Sequence, residues 1–407
     1  MKETKLQQFE FIALMASLMS VVALAIDALL PALDLIGISI GTIDASENQL
    51  IISMIFLGLG IGPLLFGPLS DSFGRKPMVY IGFTLFIFAS FICLQAESLE
   101  TMIFGRILQG MGLSAARTIS IAMIRDTYSG DFMARIMSFV TVVFLLVPIV
   151  APAAGKFILD HYNWQAIFYI QLIITLMVMF WFGKRQSETL APENRTKFSG
   201  HLFLDGTKEL CKYPRTLGFT IISGFITGSF IVYLSSAQQV FHNQYNMAND
   251  FPMIFAGLSI TILLATFLNG TFVIRFGMEK LVTVALFGFV LSSLLFVLLF
   301  SGKSNPPAWV LIVFFAIQFF TIGFLFGNLR ALAMQPIGHI AGIGAAITGF
   351  LSTSMAIPIS TFIGKNIETT ALPLFVGFFI CGICSLAVLY YLKWIKLKRQ
   401  KAIDPGL

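Results

Sequence analysis

Residues 48–96 read NQLIISMIFLGLGIGPLLFGPLSDSFGRKPMVYIGFTLFIFASFICLQA. Two apolar runs, 48–70 and 77–96, flank a turn that holds Asp71, Gly74, Arg75 and Lys76. Each run reaches the roughly 20 apolar residues that a helix needs to cross the hydrocarbon core of a bilayer. The turn is far too short to cross anything, so the runs read as two antiparallel membrane helices. Runs of the same kind recur at 11–33, 100–124, 132–159, 164–183, 216–241, 250–274, 280–301, 308–332, 340–363 and 371–394, giving twelve spans. The first run is too long for a signal-peptide core, carries Asp27 near its end and lacks a small-residue cleavage site, so it too reads as a span.

The composition agrees. Of 407 residues, 57% are apolar and 11% charged, against about 25% charged in soluble domains. A mean hydropathy of +0.88 cannot be hidden inside a water-soluble core of this size. These figures exclude a soluble enzyme, a nucleic-acid reader and a disordered chain, and predict an all-α polytopic membrane protein. The four cysteines imply no disulfide framework. Cys381 and Cys384 form a CxxC inside an apolar run, where small packing residues are favoured over a redox pair.

Twelve spans put both termini on one side. That side collects 20 of the 26 basic residues, from Lys2 and Lys5 through Arg75, Lys76, Arg125 and Arg135 to the tail after Lys393. The opposite loops hold Lys156, Lys303 and Lys365. The asymmetry predicts cytoplasmic termini in a multi-pass membrane protein. The polar connection 184–215 divides the chain into six-span bundles, 1–183 and 216–407, with a short amphipathic piece around 203–213. Gly67 and Gly74 recur as Gly270 and Gly277. Two parallel halves with a site between them near the midplane is a transporter architecture.

Four ionisable residues fall well inside spans: Asp27, Arg106, Arg117 and Arg330. Each should face a cavity or a partner, because a charge at mid-bilayer costs at least ~2.5 kcal/mol. Asp27 lies four residues before Pro31, on a small and polar stripe with Ser20 and Ala23. Burial penalises its charged form and an approaching cation favours it, opposing effects that suit a proton carrier. An Asp27–Arg106 pair that merely locks two helices is the structural alternative. Arg106 and Arg117 are 11 residues apart, almost three full turns, so they share a face with Gly110 and Leu113 between them. Arg330 either joins a cavity or snorkels to the headgroups. Three cations against one carboxylate favour an anionic or zwitterionic ligand, since guanidiniums bind carboxylates in a fork. Tyr233, Ser235, Ser236, Gln238 and Gln239 in span 7, with Phe324, are further candidate contacts. In span 5, Pro148, Pro152 and Gly155 mark a bent, small-residue segment that is either a gate or packing. The four histidines lie in loops or at span ends, which argues against a clustered catalytic metal centre.

Together these segments resemble the major facilitator superfamily, and within it the drug:proton antiporters of the bicyclomycin-resistance type. The resemblance rests on Ala25–Leu33 in span 1, the Gly67–Lys76 turn, Arg106 with Gln109 and Gly110 in span 4, Arg125–Tyr128 after it, Ala151–Gly155 in span 5, and Trp164–Phe168 at the start of span 6. It implies alternating access, proton import driving export, no cofactor beyond the proton gradient, and multidrug efflux that confers antibiotic resistance. By position Asp27 takes the family's membrane carboxylate and Arg106 its span 4 arginine, while Gly67, Asp71, Gly74, Arg75 and Lys76 take the conformational latch. The sequence departs from the family at Ser72, Ala151, Lys156 and Ile274, and most at Arg117 and Arg330. The two arginines motivate an alternative, a dedicated exporter of an anionic polycarboxylate metabolite or siderophore; a proton-coupled importer is a third reading. The expected partners are a small molecule and the lipid bilayer, with no nucleic acid and no metal, in a monomer that is not an enzyme.

Overall fold

The computed structural model describes residues 5–42, 44, 46–195, 202–302 and 304–403, and among these every regular element is helical. The first span is built from α1 (Lys5–Asp27), one 3-10 turn (Leu30–Ala32) and α2 (Leu33–Ile40). Then come α3 (Gln49–Phe73), α4 (Arg75–Leu94), α5 (Leu99–Thr127), α6 (Gly130–His161) and α7 (Trp164–Arg185). The short α8 (Leu202–Cys211) falls on the amphipathic piece of the connection and precedes α9 (Pro214–Gln239), which runs on into a π-helical turn, Val240–Gln244. The remainder is α10 (Phe251–Phe276), α11 (Met278–Phe300), α12 (Ala308–Met334), α13 (Ala341–Gly364) and α14 (Leu372–Ile403). Among the described residues, twelve helical segments are long and apolar enough to cross a membrane, as the hydropathy pattern predicts.

Local chemistry sets the ends of these helices. Ser98 and Asn163 cap α5 and α7 by accepting from the backbone N–H groups of Thr101 and Ala166. The turns between α3 and α4 and between α10 and α11 pass through Gly74 (φ +104°) and Gly277 (φ +78°), backbone that a side chain would strain.

Contacts divide the chain into two units, residues 1–200 with 246–257, and residues 201–245 with 258–407. In the first unit α5 packs against α3 and α4, and α1 against α6. In the second α9 packs against α13, and α11 against α12 and α14. Each unit carries the same buried clasp. Gln109 of α5 donates to Ser90 of α4 at 2.7 Å, and Gln318 of α12 donates to Ser292 and Ser293 of α11 at 2.9 and 2.6 Å. Phenylalanines fill much of the second unit's core, with Phe296 and Phe375 stacked at 3.7 Å. Cys381 is buried, Cys384 half-buried, and neither is in a disulfide.

Candidate functional site

The first span is broken where Asp27 sits. Pro31 has no N–H to give the Asp27 carbonyl, so the α-helix cannot continue through it. The chain therefore tightens into the 3-10 turn, with Ala32 N–H donating to Leu29 O at 2.9 Å. Asp27 is 5% exposed, and its carboxylate makes no hydrogen bond or ion pair among the described residues. Gln171 of α7 braces the last turn of α1 by donating to the Leu24 carbonyl at 3.3 Å.

Arg106 is fully buried beside this break. Its guanidinium donates twice to the Ala25 carbonyl at 3.2 Å, to the Ile51 carbonyl of α3 at 2.9 Å, and to Gln109 Oε1 at 2.8 Å. A cation is thus set against the negative C-terminal pole of α1. It forms no ion pair with Asp27. The alternative of an Asp27–Arg106 lock is therefore not formed here, and the Arg106 donors, expected to meet a ligand, are taken in this structure by the Ala25 and Ile51 carbonyls and by Gln109. Arg117, on the same helix face, is half-buried.

α6 continues as a helix through Pro148 and Pro152. Gly155 lies against the break itself, since a Cβ there would come within 2.0 Å of the Ala28 carbonyl. The small residue in span 5 is therefore required by the irregular backbone of span 1.

At the α3–α4 turn Arg75 is the hub. It donates to Asp71 and Ser70, and to Asp126 at the end of α5 at 2.9 Å. Lys76 Nζ donates to the Gly183 carbonyl near the end of α7 at 2.9 Å. Glu188, which no sequence motif singles out, accepts the backbone N–H groups of Arg75 and Lys76 at 2.9 and 3.0 Å. Its carboxylate occupies the positive N-terminus of α4 and satisfies two otherwise unpaired donors. Gly74 makes room for it, since a Cβ would stand 2.6 Å from Glu188 Oε2. Gly67 faces open space, where a Cβ would meet nothing within 4 Å, so close helix approach does not explain its place in the motif.

In the second unit Tyr233 is fully buried, edge-on to Phe315 and Phe319 at 4.9 and 4.5 Å. Ser236 is fully buried and donates to the Val232 carbonyl. Both are expected ligand contacts, and in this structure both side chains are enclosed. Gln238 pairs with His242 at 3.3 Å, and Gln239 donates to the Ile367 carbonyl. Arg330 is exposed and has no hydrogen bond or ion pair among the described residues.

The chain matches the Major Facilitator Superfamily over residues 12–361. An uncharacterized MFS-type transporter of Bacillus subtilis (strain 168), YdgK, is 29% identical, the match covering 88% of this chain and 89% of that one. A bicyclomycin resistance protein homolog of Haemophilus influenzae is 26% identical over 88% and 90% of the two chains. The multidrug resistance protein MdtL of Salmonella paratyphi C is 31% identical, over 39% of this chain and 41% of its own. Among solved structures, a D-xylose–proton symporter superposes with a TM-score of 0.73 at 16% identity, covering 95% and 97% of the chains. A human organic anion transporter superposes with a TM-score of 0.64 at 15% identity, covering 94% and 99%. At these identities the two structures speak for the fold alone.

Proposed function

Because the chain belongs to the Major Facilitator Superfamily, we propose that it is a proton-coupled exporter carrying a small drug-like molecule or metabolite out of the cytoplasm by alternating access. The observation that carries this reading is Asp27, a buried carboxylate without a partner among the described residues, at a helix break. An intramembrane acid held in that state is a functional group by default, and irregular backbone at membrane depth belongs where it borders a cavity or protein. Asp27 takes up the proton, and Arg106 fixes the broken helix end that presents it. The Arg75–Asp71–Asp126 cluster, with Lys76 and Glu188, is the latch that holds one conformation. The names of the bicyclomycin-resistance and multidrug-resistance relatives support efflux from a bacterial inner membrane. No cofactor takes part; the proton gradient supplies the energy, and the monomer works alone.

Everted vesicles with an imposed pH gradient test this, with bicyclomycin, ethidium and citrate as probes. Gradient-driven uptake of bicyclomycin or ethidium is expected, and Asp27→Asn should abolish it while equilibrium binding survives. Active transport retained by Asp27→Asn sinks the assignment. A second reading, export of an anionic polycarboxylate, draws on the exposed Arg330. It requires citrate uptake that falls in Arg330→Ala or Arg117→Ala, and it loses Arg106, whose donors are taken by two backbone carbonyls and Gln109.

A further inference from the structure

Two amides meet between α10 and α12 in the second unit. Asn328 Nδ2 donates to the Phe324 carbonyl at 2.9 Å and to Asn269 Oδ1 at 2.6 Å. A backbone carbonyl can only accept, which fixes the Asn328 nitrogen; that nitrogen in turn needs an oxygen opposite, which fixes Asn269. The pair is left with one donor, Asn269 Nδ2, and one acceptor, Asn328 Oδ1, neither with a partner among the described residues. Asn328 is 3% exposed and Asn269 half-buried. An interhelical bond that served only as packing glue would need one N–H and one oxygen, and accounts for nothing more.

The surroundings are open and aromatic. Gly270 and Gly327 flank the two asparagines, and a Cβ at either would meet nothing within 4 Å. Phe272 and Phe324, one turn away on each helix, stack at 6.2 Å with ring planes 10° apart, and Phe272 is 38% exposed. A donor and an acceptor left over on one amide pair match a group with an acceptor next to an N–H, and the exposed part of Phe272, which also meets Phe276 edge-on at 6.1 Å, matches a flat apolar body.

We propose that Asn269 and Asn328, with Phe272, form a recognition subsite of the transported molecule that takes an uncharged planar carboxamide or lactam. The ligand carbonyl accepts from Asn269 Nδ2, its N–H donates to Asn328 Oδ1, and its ring lies on Phe272. The subsite rests on the reading of the chain as a small-molecule transporter, and on neither proton coupling nor direction.

The test is equilibrium binding to the purified full chain in detergent at fixed pH, read by intrinsic tryptophan fluorescence. The probes are the planar lactam carbostyril and N-methylcarbostyril, which lacks the N–H. Carbostyril should bind, and N-methylation should weaken it about tenfold, since it leaves the Asn328 acceptor unpaired. Asn328→Leu should bring the two probes level. Gly327→Leu, which adds a side chain into open space and improves helix propensity, should abolish binding in a monodisperse protein, and it decides the matter if Asn328→Leu does not fold. Equal affinity for the two probes, no binding of either, or unchanged binding in Gly327→Leu overturns the subsite. Asp27→Asn should retain the lactam preference, so a failure of coupling and a failure of the subsite give different results.

Discussion

A guanidinium buried in a membrane protein without a counter-ion must have its charge absorbed by dipoles, and Arg106 uses the carbonyls of α1 and α3 for this. Hydrogen bonds to charged groups are worth about 1.5–3 kcal/mol each, so Arg106→Leu should lower the Tm of the purified protein sharply. Arg106→Lys should recover little of it, because an ammonium cannot reproduce the fork that reaches two helices. Asp27→Asn is the contrasting case. It removes a group with no hydrogen-bond partner among the described residues, so the Tm should hold while transport is lost. The two buried glutamines should also differ. Gln109 both accepts from Arg106 and donates to Ser90, whereas the Gln318 oxygen is buried without a partner. Gln109→Leu should therefore destabilise more than Gln318→Leu, and equal losses by thermal melting would contradict the unequal bonding of the two amides. The difference has a visible origin, since the position three before Gln318 is Phe315 and the position three before Gln109 is Arg106.

At the scale of elements, the break in the first span ties several motifs together. Pro31 stops α1 at Asp27, Arg106 binds the exposed end, and Gly155 lets α6 lie on the irregular turn. Gly155→Ala puts a methyl group into the Ala28 carbonyl, and helices buried in a close-packed core yield to this only by shifting. It should reduce transport while leaving the Asn163 and Ser98 caps, and hence α5 and α7, unchanged by hydrogen exchange. Glu188→Ala should speed exchange of the Arg75 and Lys76 amides selectively, at a cost of about 1 kcal/mol for a lost helix cap. The sequence discloses Asp27 and Gly155 through residue type and spacing alone. It does not disclose Glu188, which lies 113 residues from Arg75 in a polar stretch that looks like any linker. Arg106 misleads for a related reason: helical periodicity finds the face a side chain occupies, but not whether that face meets a cavity or a neighbouring helix end. Pro31 is the available clue, because a proline that ends a helix leaves carbonyls in need of a donor.

For the molecule as a whole, hydropathy suffices for the twelve helices, since a bilayer demands long apolar segments with internally paired backbones. The repeat is weaker in sequence than in structure. Gly74 and Gly277 mark it, but the clasp of Gln109 on Ser90 and Gln318 on Ser292 and Ser293 depends on partners 19 to 26 residues away, beyond any local period. Asn269 and Asn328 do not stand out in the sequence because single amides in apolar runs acquire meaning only when two helices bring them together. The membrane orientation that the basic residues predict can be checked directly. In a cysteine-free background, a cysteine at Lys365 should react with an impermeant maleimide in intact cells. One at Lys398 should react only after the membrane is opened, and the reverse pattern would invert the topology.

The Glu188 cap has a consequence for biosynthesis. The turn before α4 leaves the ribosome long before the carboxylate that completes it, because 113 residues separate Arg75 from Glu188. At about 5–20 residues per second that interval is roughly 6–23 s. Through it the first-turn amides of α4 have no Glu188, and Asp126, only 51 residues behind Arg75, arrives first. The nascent first unit is thus assembled in order, ion pair before cap, and a ribosome paused between residues 126 and 188 would hold a bundle that is inserted but not yet fastened.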